Sequence, residues 1–224
     1  DMWILEGGQS STGSIIKWFR DNFLQEEFRE REELEMIFDA MDRMAAQISP
    51  GSDGLLVLDN FQGNRSPYQD PLARGAIWGL SLSHTRAHIL RAIYEGTAYG
   101  TFHILETLAR DGFQAEEIYV SGGGARSKLW LQIHADVADI PIYLTTVEEA
   151  STLGTAIYAA VGVGFYGSIP EATLKMVQIS GQIYPCQQNR EIYHFYYEQY
   201  VKSYWQLRDL MHRVSTRLGT TPEA

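Results

Sequence analysis

The pattern of hydrophobic and polar positions predicts an alternation of strands and helices along the chain. Short apolar runs bordered by Gly, Pro, Asn or Asp predict strands at residues 2–5, 55–58, 75–80, just before Gly122, and 141–144. Apolar residues that recur every three or four positions predict helices at residues 13–23, 25–47, 85–108, 127–138, 148–162 and 193–214. Such alternation is typical of an α/β domain.

Two of the predicted helices have distinctive faces. Ala92, Gly96 and Gly100 form a column of small residues at i, i+4 and i+8. An interior helical glycine costs about 1 kcal/mol relative to alanine, so the column predicts close packing against a backbone or a ligand, with packing on a sheet the simpler interpretation. An aromatic and aliphatic stripe on the last helix predicts core packing; its members are Tyr193, Tyr197, Tyr200, Tyr204, Leu207, Met211 and Val214.

The segment 117–144 combines a strand, three glycines, a helix and a second strand. Gly122, Gly123 and Gly124 allow the backbone to approach a ligand, and the amides that open the next helix are unpaired donors with a partial positive charge. The layout suits a phosphate or a nucleotide. The spacing matches neither G-x-G-x-x-G nor the P-loop pattern, however, and a tight turn without a ligand explains the same residues.

Composition narrows the range of function classes. The 224 residues are 45% hydrophobic, enough for one sizeable core. Lys and Arg total 18 against 28 Asp and Glu, a net charge of −10, which argues against a broad nucleic-acid or anionic-membrane surface. The single cysteine, Cys186, excludes an internal disulfide framework and a multi-cysteine metal site. No apolar run approaches the roughly 20 residues that span a bilayer, so a cytoplasmic protein is expected.

Other candidate chemistries have weak support in the sequence. His84 and His88 share a helix face, but Thr85 stands where the H-E-x-x-H pattern requires Glu, so metal binding is not expected. Asp136 and Asp139 are interpreted as solvated surface carboxylates rather than a catalytic pair. The chain starts without Met, in the strand-like run DMWILEGG, which indicates a piece of a longer protein.

One segment resembles a known family. Residues 75–95, GAIWGLSLSHTRAHILRAIYE, match every specified position of the second signature of the FGGY carbohydrate kinases. The preceding FQGNRSPYQDPLARG is similar to that family's loop before the signature, and SGGGARSKLWLQIHADV is similar to its adenosine-binding strand, loop and helix. The resemblance continues through EEASTLGTAIYAAVGVGFY to the closing aromatic helix. It spans nearly the whole chain, with the motifs in the expected order.

The resemblance implies a fold and a domain organisation. FGGY kinases have two domains of the ribonuclease H-like (actin-like ATPase) type, each with a mixed sheet flanked by helices, and they bind ATP between the domains. Residues 1–224 then form the C-terminal nucleotide-binding domain, with ATP and Mg²⁺ as cofactors. A sugar or polyol binds mostly through the missing N-terminal domain, and the fragment alone is expected to be inactive. A homodimer is one possible assembly, whereas nucleic-acid and membrane partners are not expected.

The resemblance also implies the residues of a nucleotide site. The three glycines would line the adenosine and α-phosphate region, and Ser127 would lie near the adenine. Gly13 and Lys17 match positions that approach the nucleotide from the other side. Several family members carry a neutral amide where Lys17 stands, so this cation either contacts a phosphate or extends into solvent. The family's Asp base would precede the first residue, and no catalytic residue or metal ligand is therefore assigned to this chain.

The identity of the sugar rests on one short motif. Residues 6–13, EGGQSSTG, look most like the ribulose and ribitol kinase branch, which favours a pentulose such as ribulose over xylulose or glycerol. Two alternatives to an enzyme are an actin-like ATP-binding regulatory module without sugar kinase activity and a purely structural domain that kept the fold.

Overall fold

The computed structural model of the chain describes residues 4–24 and 34–219. The helices in these two ranges are α1 (Gly13–Phe23), α2 (Leu34–Ala45), α3 (Arg86–Arg110), α4 (Lys128–Ala138), α5 (Ala150–Gly162), α6 (Ile169–Met176) and α7 (Arg190–Arg217). The strands are β1 (Leu56–Leu58), β2 (Ala76–Trp78), β3 (Ile118–Val120), β4 (Ile142–Thr145) and β5 (Ile179–Ile183). Among the described helices, none is both long enough and apolar enough to cross a lipid bilayer.

Most of the predicted elements are present. The four later strand predictions correspond to β1 to β4, and the helix predictions correspond to α1 to α5 and α7. Residues 25–33, the first part of the predicted helix 25–47, lie outside the described residues. The sequence patterns do not predict α6 or β5. β5 contains Gly181 and shows no clear alternation of buried and exposed positions, and it depends on pairing with β4.

The strand predicted at residues 2–5 is wrong in its described part. Ile4 is 93% exposed, and neither Ile4 nor Leu5 belongs to a strand. Residues 1–3 lie outside the described residues. A strand requires a hydrogen-bonding neighbour, and none of the described strands pairs with this segment. An apolar run therefore does not by itself show that a segment has a strand to pair with.

The strands form two sheets. β1 and β2 pair antiparallel, with Val57 opposite Ile77. In the second sheet the order is β3-β4-β5, where β3 and β4 are parallel and β5 is antiparallel to β4. The second sheet is therefore mixed, as expected for the fold class, and the parallel pair is joined through α4 as in a βαβ unit.

α3 lies at the centre of the fold and contacts α1, α2, α4, α7 and β1. Its small-residue column explains how it fits there. A Cβ atom on Gly96 would strike the carbonyl oxygen of Val57 in β1, and one on Gly100 would strike the side chains of Gln9 and Asp59. The close packing predicted for this column is confirmed, and for Gly96 its partner is a strand backbone.

The predicted core stripe of α7 is confirmed for the four tyrosines and Met211, which are buried. Val214 is 48% exposed, so its predicted burial is wrong. The hydroxyls of Tyr197, Tyr200 and Tyr204 donate to acidic side chains, for example Tyr200 to Asp59 at 2.5 Å and Tyr204 to Asp70 at 2.7 Å, whereas the hydroxyl of Tyr193 accepts from Arg91. Each ring thus buries apolar area while its hydroxyl keeps a partner.

Asp136 is buried, so its interpretation as a solvated carboxylate is wrong. Its Oδ1 accepts the backbone N–H of Cys186 at 2.7 Å, and its Oδ2 accepts from the amide of Asn189, also at 2.7 Å. Asp136 therefore fastens the segment before α7 to α4. Asp139 remains partly exposed and pairs with Arg190 at 3.2 Å.

His134, in α4, gives the fold a pH dependence. Its partly buried ring lies edge-on to Trp130, and its Nδ1 is 2.8 Å from the Trp130 carbonyl oxygen. Burial lowers the pKa of His134 to about 4, although the hydrogen bond acts in the opposite direction. Because the ordinary histidine pKa is about 6.5, the neutral ring stabilises the fold above that pH, and this contribution is lost as the pH falls towards 4.

We expect the free energy of unfolding of the wild-type chain to fall between pH 7 and pH 5, and His134→Gln to show a smaller fall. Urea denaturation at the two pH values measures both. His194→Gln is the matched control, because the side chain of His194 is 70% exposed on α7. An equal fall in His134→Gln and in the wild type would contradict this origin of the pH dependence.

Candidate functional site

A cavity of about 420 Å³ opens between α1, α2 and the turn after β3. Its volume lies within the range of about 300–1,000 Å³ that is typical of small-molecule sites. Its lining residues are Thr12, Gly13, Ile16, Lys17, Arg20, Ile37, Phe38, Met41, Gly123, Gly124 and Trp130. A larger groove of about 600 Å³ between α3, α4 and α7 contains none of the six residues expected to bind a nucleotide. We therefore assign the candidate site to the smaller cavity.

Four of the six expected residues come together in this cavity. Gly13 and Lys17 lie on α1, whereas Gly123 and Gly124 belong to a short 3-10 turn, Gly123–Arg126, that follows β3. The two pairs are far apart in the sequence and face each other only through the fold. Gly122 and Ser127 flank the 3-10 turn and are not part of the lining.

The three glycines of the turn have different physical roles. Gly122 has a φ of 84°, in the region that favours glycine, and its N–H donates to the Glu148 carbonyl at 2.9 Å. A Cβ atom on Gly124 would meet the ring of Trp130. A Cβ atom on Gly123 would meet no atom within 4 Å. Turn geometry and ring packing thus explain Gly122 and Gly124, and Gly123 is the position that leaves space inside the cavity.

The first residues of α1 provide the other polar wall. Gly13 opens the helix, and a Cβ atom there would also meet no atom within 4 Å. The first N–H groups of a helix have no partner within it and carry a partial positive charge. Thr12 precedes the helix, and its side chain makes no capping hydrogen bond. This end of α1 therefore suits an anionic group such as a phosphate.

Lys17 lies one turn further along α1. Its Nζ is 2.6 Å from Oδ2 of Asp21, and its side chain is 67% exposed. Hydrogen bonds from Lys17 and then from Arg20 lower the pKa of Asp21, so this carboxylate is firmly ionised. An exposed ion pair contributes little stability, and Lys17 can exchange Asp21 for a ligand phosphate at small cost. Contact with a phosphate and extension into solvent both remain compatible with this geometry.

Ser127 is buried and serves as the N-cap of α4. Its Oγ accepts the N–H of Trp130 at 3.1 Å and donates to Oδ1 of Asp42 at 2.6 Å. Asp42, on α2, also accepts the N–H of Leu129 at 3.2 Å and the hydroxyl of Tyr94 at 3.1 Å. One carboxylate thus joins α2 to the start of α4. Sequence reasoning missed Asp42, because only the folded chain brings it to Ser127.

Replacing Asp42 with alanine is expected to lower the free energy of unfolding by about 2 kcal/mol, since hydrogen bonds to a charged group contribute about 1.5–3 kcal/mol. Urea denaturation measures the loss. Asp39→Ala is the matched control, because Asp39 is an exposed aspartate on the same helix. If Asp42→Ala is no less stable than Asp39→Ala, the connection between α2 and α4 does not have the assigned role.

Comparison with known proteins identifies the family. The model of the C-terminal domain of the FGGY family of carbohydrate kinases matches residues 1–163. The chain belongs to this family. It is 33% identical over 210 residues to a xylulose kinase of Staphylococcus epidermidis, covering 94% of this chain and 40% of the relative. It is 35% identical over 205 residues to a ribulokinase of Mycolicibacterium smegmatis, covering 90% of this chain and 36% of the relative.

The fold comparison agrees with the family assignment. The crystal structure of a xylulose kinase from Rhodospirillum rubrum matches with a TM-score of 0.78 and 31% identity, covering 91% of this chain and 40% of that one. The ribonuclease H-like (actin-like ATPase) fold class expected from the FGGY signature is therefore confirmed. This FGGY chain spans about 40% of the length of the relatives that it matches.

Proposed function

We propose that the chain is the nucleotide-binding half of an ATP-dependent carbohydrate kinase, which transfers the γ-phosphate of ATP to a hydroxyl of a sugar or polyol. The main support for this proposal is the cavity in which the start of α1 and the glycine turn face each other. Gly13 and Gly123 both leave space for a ligand there. The named relatives, a xylulose kinase and a ribulokinase, support this reaction class.

The lining residues fit ATP by their chemistry. The N–H groups at the start of α1 and in the glycine turn suit phosphate oxygens. Phe38 and Trp130 provide ring surface, and Ile16, Ile37 and Met41 complete an apolar wall for a base. Phosphoryl transfer depends mainly on positioning and on electrostatic stabilisation. The role of this chain is then to hold the nucleotide so that its γ-phosphate faces the acceptor hydroxyl.

The described residues do not fit a Mg²⁺ site of their own. Among those that line the cavity, none carries a carboxylate, the side chain that Mg²⁺ prefers. Over the described ranges, no group of three or more His, Cys, Asp or Glu residues could hold a metal ion. His88 instead accepts the Thr85 N–H at the start of α3, at 3.1 Å.

We propose that the parts of the kinase active site that this chain does not provide lie in the rest of the enzyme. The relatives are more than twice as long as the region matched here. We propose that residues 1–224 are the C-terminal domain, and that an N-terminal domain supplies the sugar-binding residues and the Asp base. Residues 1–224 alone are then expected to bind nucleotide without turnover.

For the acceptor, we propose a pentulose of the ribulose type. The support is the EGGQSSTG motif together with several ribulokinases among the relatives, at 33–35% identity. Within the motif, Gln9 donates to Asp59 and Thr97, and Ser11 donates to the Asp59 carbonyl. These side chains anchor the segment to the core, so the proposal does not give them a direct contact with the sugar.

Gly123→Val is expected to weaken binding of ADP at least tenfold, because the added side chain would occupy space within the cavity that the nucleotide requires. Calorimetric titration with ADP and Mg²⁺ measures the change. Gly154→Val is the matched control, since Gly154 lies in α5 away from the cavity and a Cβ atom there also meets nothing within 4 Å. Equal affinities of the two variants would contradict the location of the site.

The reaction itself is tested with a substrate panel. The enzyme with its N-terminal domain should phosphorylate ribulose faster than ribitol, xylulose or glycerol, and residues 1–224 alone should phosphorylate none of them. Turnover by residues 1–224 alone, free of contaminating kinase, would overturn the division of labour between the domains. A preference for xylulose would leave the kinase proposal intact and correct the acceptor.

A further inference from the structure

One aromatic ring of the cavity wall is hydrogen-bonded to a residue of the protein core. Trp130, on α4, lines the cavity and lies behind the glycine turn, since a Cβ atom on Gly124 would meet its ring. Its indole N–H donates to Oγ1 of Thr97, on α3, at 2.8 Å. Thr97 is completely buried and is not part of the cavity lining. The core therefore influences how this ring is presented to a ligand.

The hydroxyl of Thr97 is oriented to accept this hydrogen bond. Its Oγ1 lies 2.9 Å from the carbonyl oxygen of Tyr94 and 3.1 Å from that of Ile93, one turn earlier in α3, and it donates its proton to them. The lone pairs of the oxygen are then free for the indole N–H, which can donate but not accept. The hydrogen bonds therefore run in one direction, from Trp130 to Thr97 and on to the backbone of α3.

This bond determines which way the indole faces. The ring of Trp130 also packs edge-on against His134, with centroids 4.8 Å apart, and is tilted towards Tyr94 at 6.4 Å. Ring packing alone is compatible with rotation about χ2, which is a broad torsion, whereas a hydrogen bond is directional. The bond to Thr97 selects the orientation with the N–H towards α3 and the six-membered ring towards Gly124.

Thr97 is also connected to the opposite wall of the cavity. Its backbone carbonyl oxygen accepts from the side-chain amide of Gln9 at 2.9 Å. Gln9 belongs to the segment that leads into α1, where Gly13 lines the cavity. The neighbouring Gly96 packs closely on β1, so Thr97 lies on a rigid part of the core. Trp130 on one wall and the segment before the other wall are thus both hydrogen-bonded to Thr97.

We propose that Thr97 is a positioning residue of the nucleotide site, which holds the indole of Trp130 in the orientation that receives the base. This inference rests on the proposed nucleotide-binding function. Thr97 acts through Trp130 and does not itself contact the nucleotide. A ring that is already held in place does not have to be ordered when the ligand binds, so releasing it lowers the affinity.

The test begins with two substitutions at Thr97 and a calorimetric titration with ADP and Mg²⁺. Thr97→Val replaces the hydroxyl with a methyl group and keeps the carbonyl that accepts from Gln9. It is expected to weaken ADP binding about tenfold, because the indole N–H loses its partner and the ring turns away. Thr97→Ser keeps the hydroxyl and is expected to bind within about twofold of the wild type. Wild-type affinity in Thr97→Val would overturn the proposal.

Thr107→Val is the matched control. Thr107 also lies on α3, and its hydroxyl donates to the carbonyl oxygen of His103 one turn earlier, at 2.7 Å. It lies further along the helix and is not part of the cavity lining. Its replacement is expected to change the ADP affinity by no more than about twofold. If Thr107→Val weakens ADP as much as Thr97→Val does, loss of any hydroxyl on α3 explains the effect, and the proposal is refuted.

Two further measurements show whether Thr97 acts through Trp130. In a Trp130→Phe chain, which lacks the indole N–H, adding Thr97→Val is expected to weaken ADP binding by less than a further twofold or so. Independent, additive losses would refute the proposal. In the wild-type chain, the NMR signal of the Trp130 indole N–H, assigned by its loss in Trp130→Phe, is expected to exchange slowly with solvent. Fast exchange would refute the proposal even if Thr97→Val did not fold.

The wild-type titration separates this inference from the proposed function. If the wild type binds ADP and Thr97→Val binds it equally well, the positioning role is refuted and the nucleotide-binding function stands. If the wild-type chain does not bind ADP, both are refuted.

Discussion

Replacing Glu95 with alanine is expected to lower the free energy of unfolding by about 3–5 kcal/mol, the usual cost of leaving a buried charge without its partner. Glu95 is 2% exposed, and its Oε1 accepts from Nε of Arg91 at 2.8 Å. Oε1 also accepts from the N–H of Gly51 at 3.0 Å, and Oε2 accepts from the hydroxyl of Ser52 at 2.8 Å. Arg91 in turn donates to the hydroxyl of Tyr193 at 2.6 Å.

The physical reason lies in burial. Burial raises the pKa of Glu95, and Arg91 with the other donors acts against it, so the carboxylate depends on its partners to stay ionised. Without Glu95, the guanidinium of Arg91 stays buried, and its remaining partner among the described residues is the hydroxyl of Tyr193. Glu198→Ala is the control, because Glu198 forms exposed ion pairs on α7 and should cost less than about 1 kcal/mol. Urea denaturation measures the free energy of unfolding of both variants. A similar loss of stability in the two would contradict this explanation.

Gly96→Val is expected to cost about 3 kcal/mol or to prevent folding, at the upper end of the range for overpacked cores. Any Cβ atom on Gly96 would strike the backbone carbonyl of Val57, which is held in β1 and cannot rotate away. Gly154→Val is the control at a helical glycine with open surroundings. Thermal and urea denaturation compare the two. A Gly96→Val chain as stable as Gly154→Val would show that α3 does not need this close approach to β1.

The sequence predicts those helices and strands that a local pattern of residues specifies. Helical spacing predicts α3 and α7, and turn residues with short apolar runs predict β1 to β4. β5 depends on a ladder with β4 that no local pattern encodes. The strand at residues 2–5 illustrates the opposite error, because its apolar run has no pairing partner among the described strands.

In the candidate site, too, local sequence patterns predict some features and miss others. Glycines with open surroundings are recognisable in the sequence by motif, and Gly13 and Gly123 do face one cavity. Ser127, however, is bonded to Asp42, and Asp136 accepts from residues that precede α7. A serine before a helix and an aspartate on its surface have the same local appearance whether they contact a ligand, water or a distant segment. Only the packing of α2 and α7 against α4 distinguishes these cases.

We propose that the cavity between α1, α2 and the glycine turn holds the nucleotide. Photolabelling of the chain with 2-azido-ADP, followed by mass-spectrometric mapping of the labelled peptide, tests this location. The label is expected on α1, on α2 or between Gly123 and Trp130, and an excess of ADP should prevent it. ADP-protected labelling in the larger groove between α3, α4 and α7, for example at Phe102 or His194, would contradict the claim.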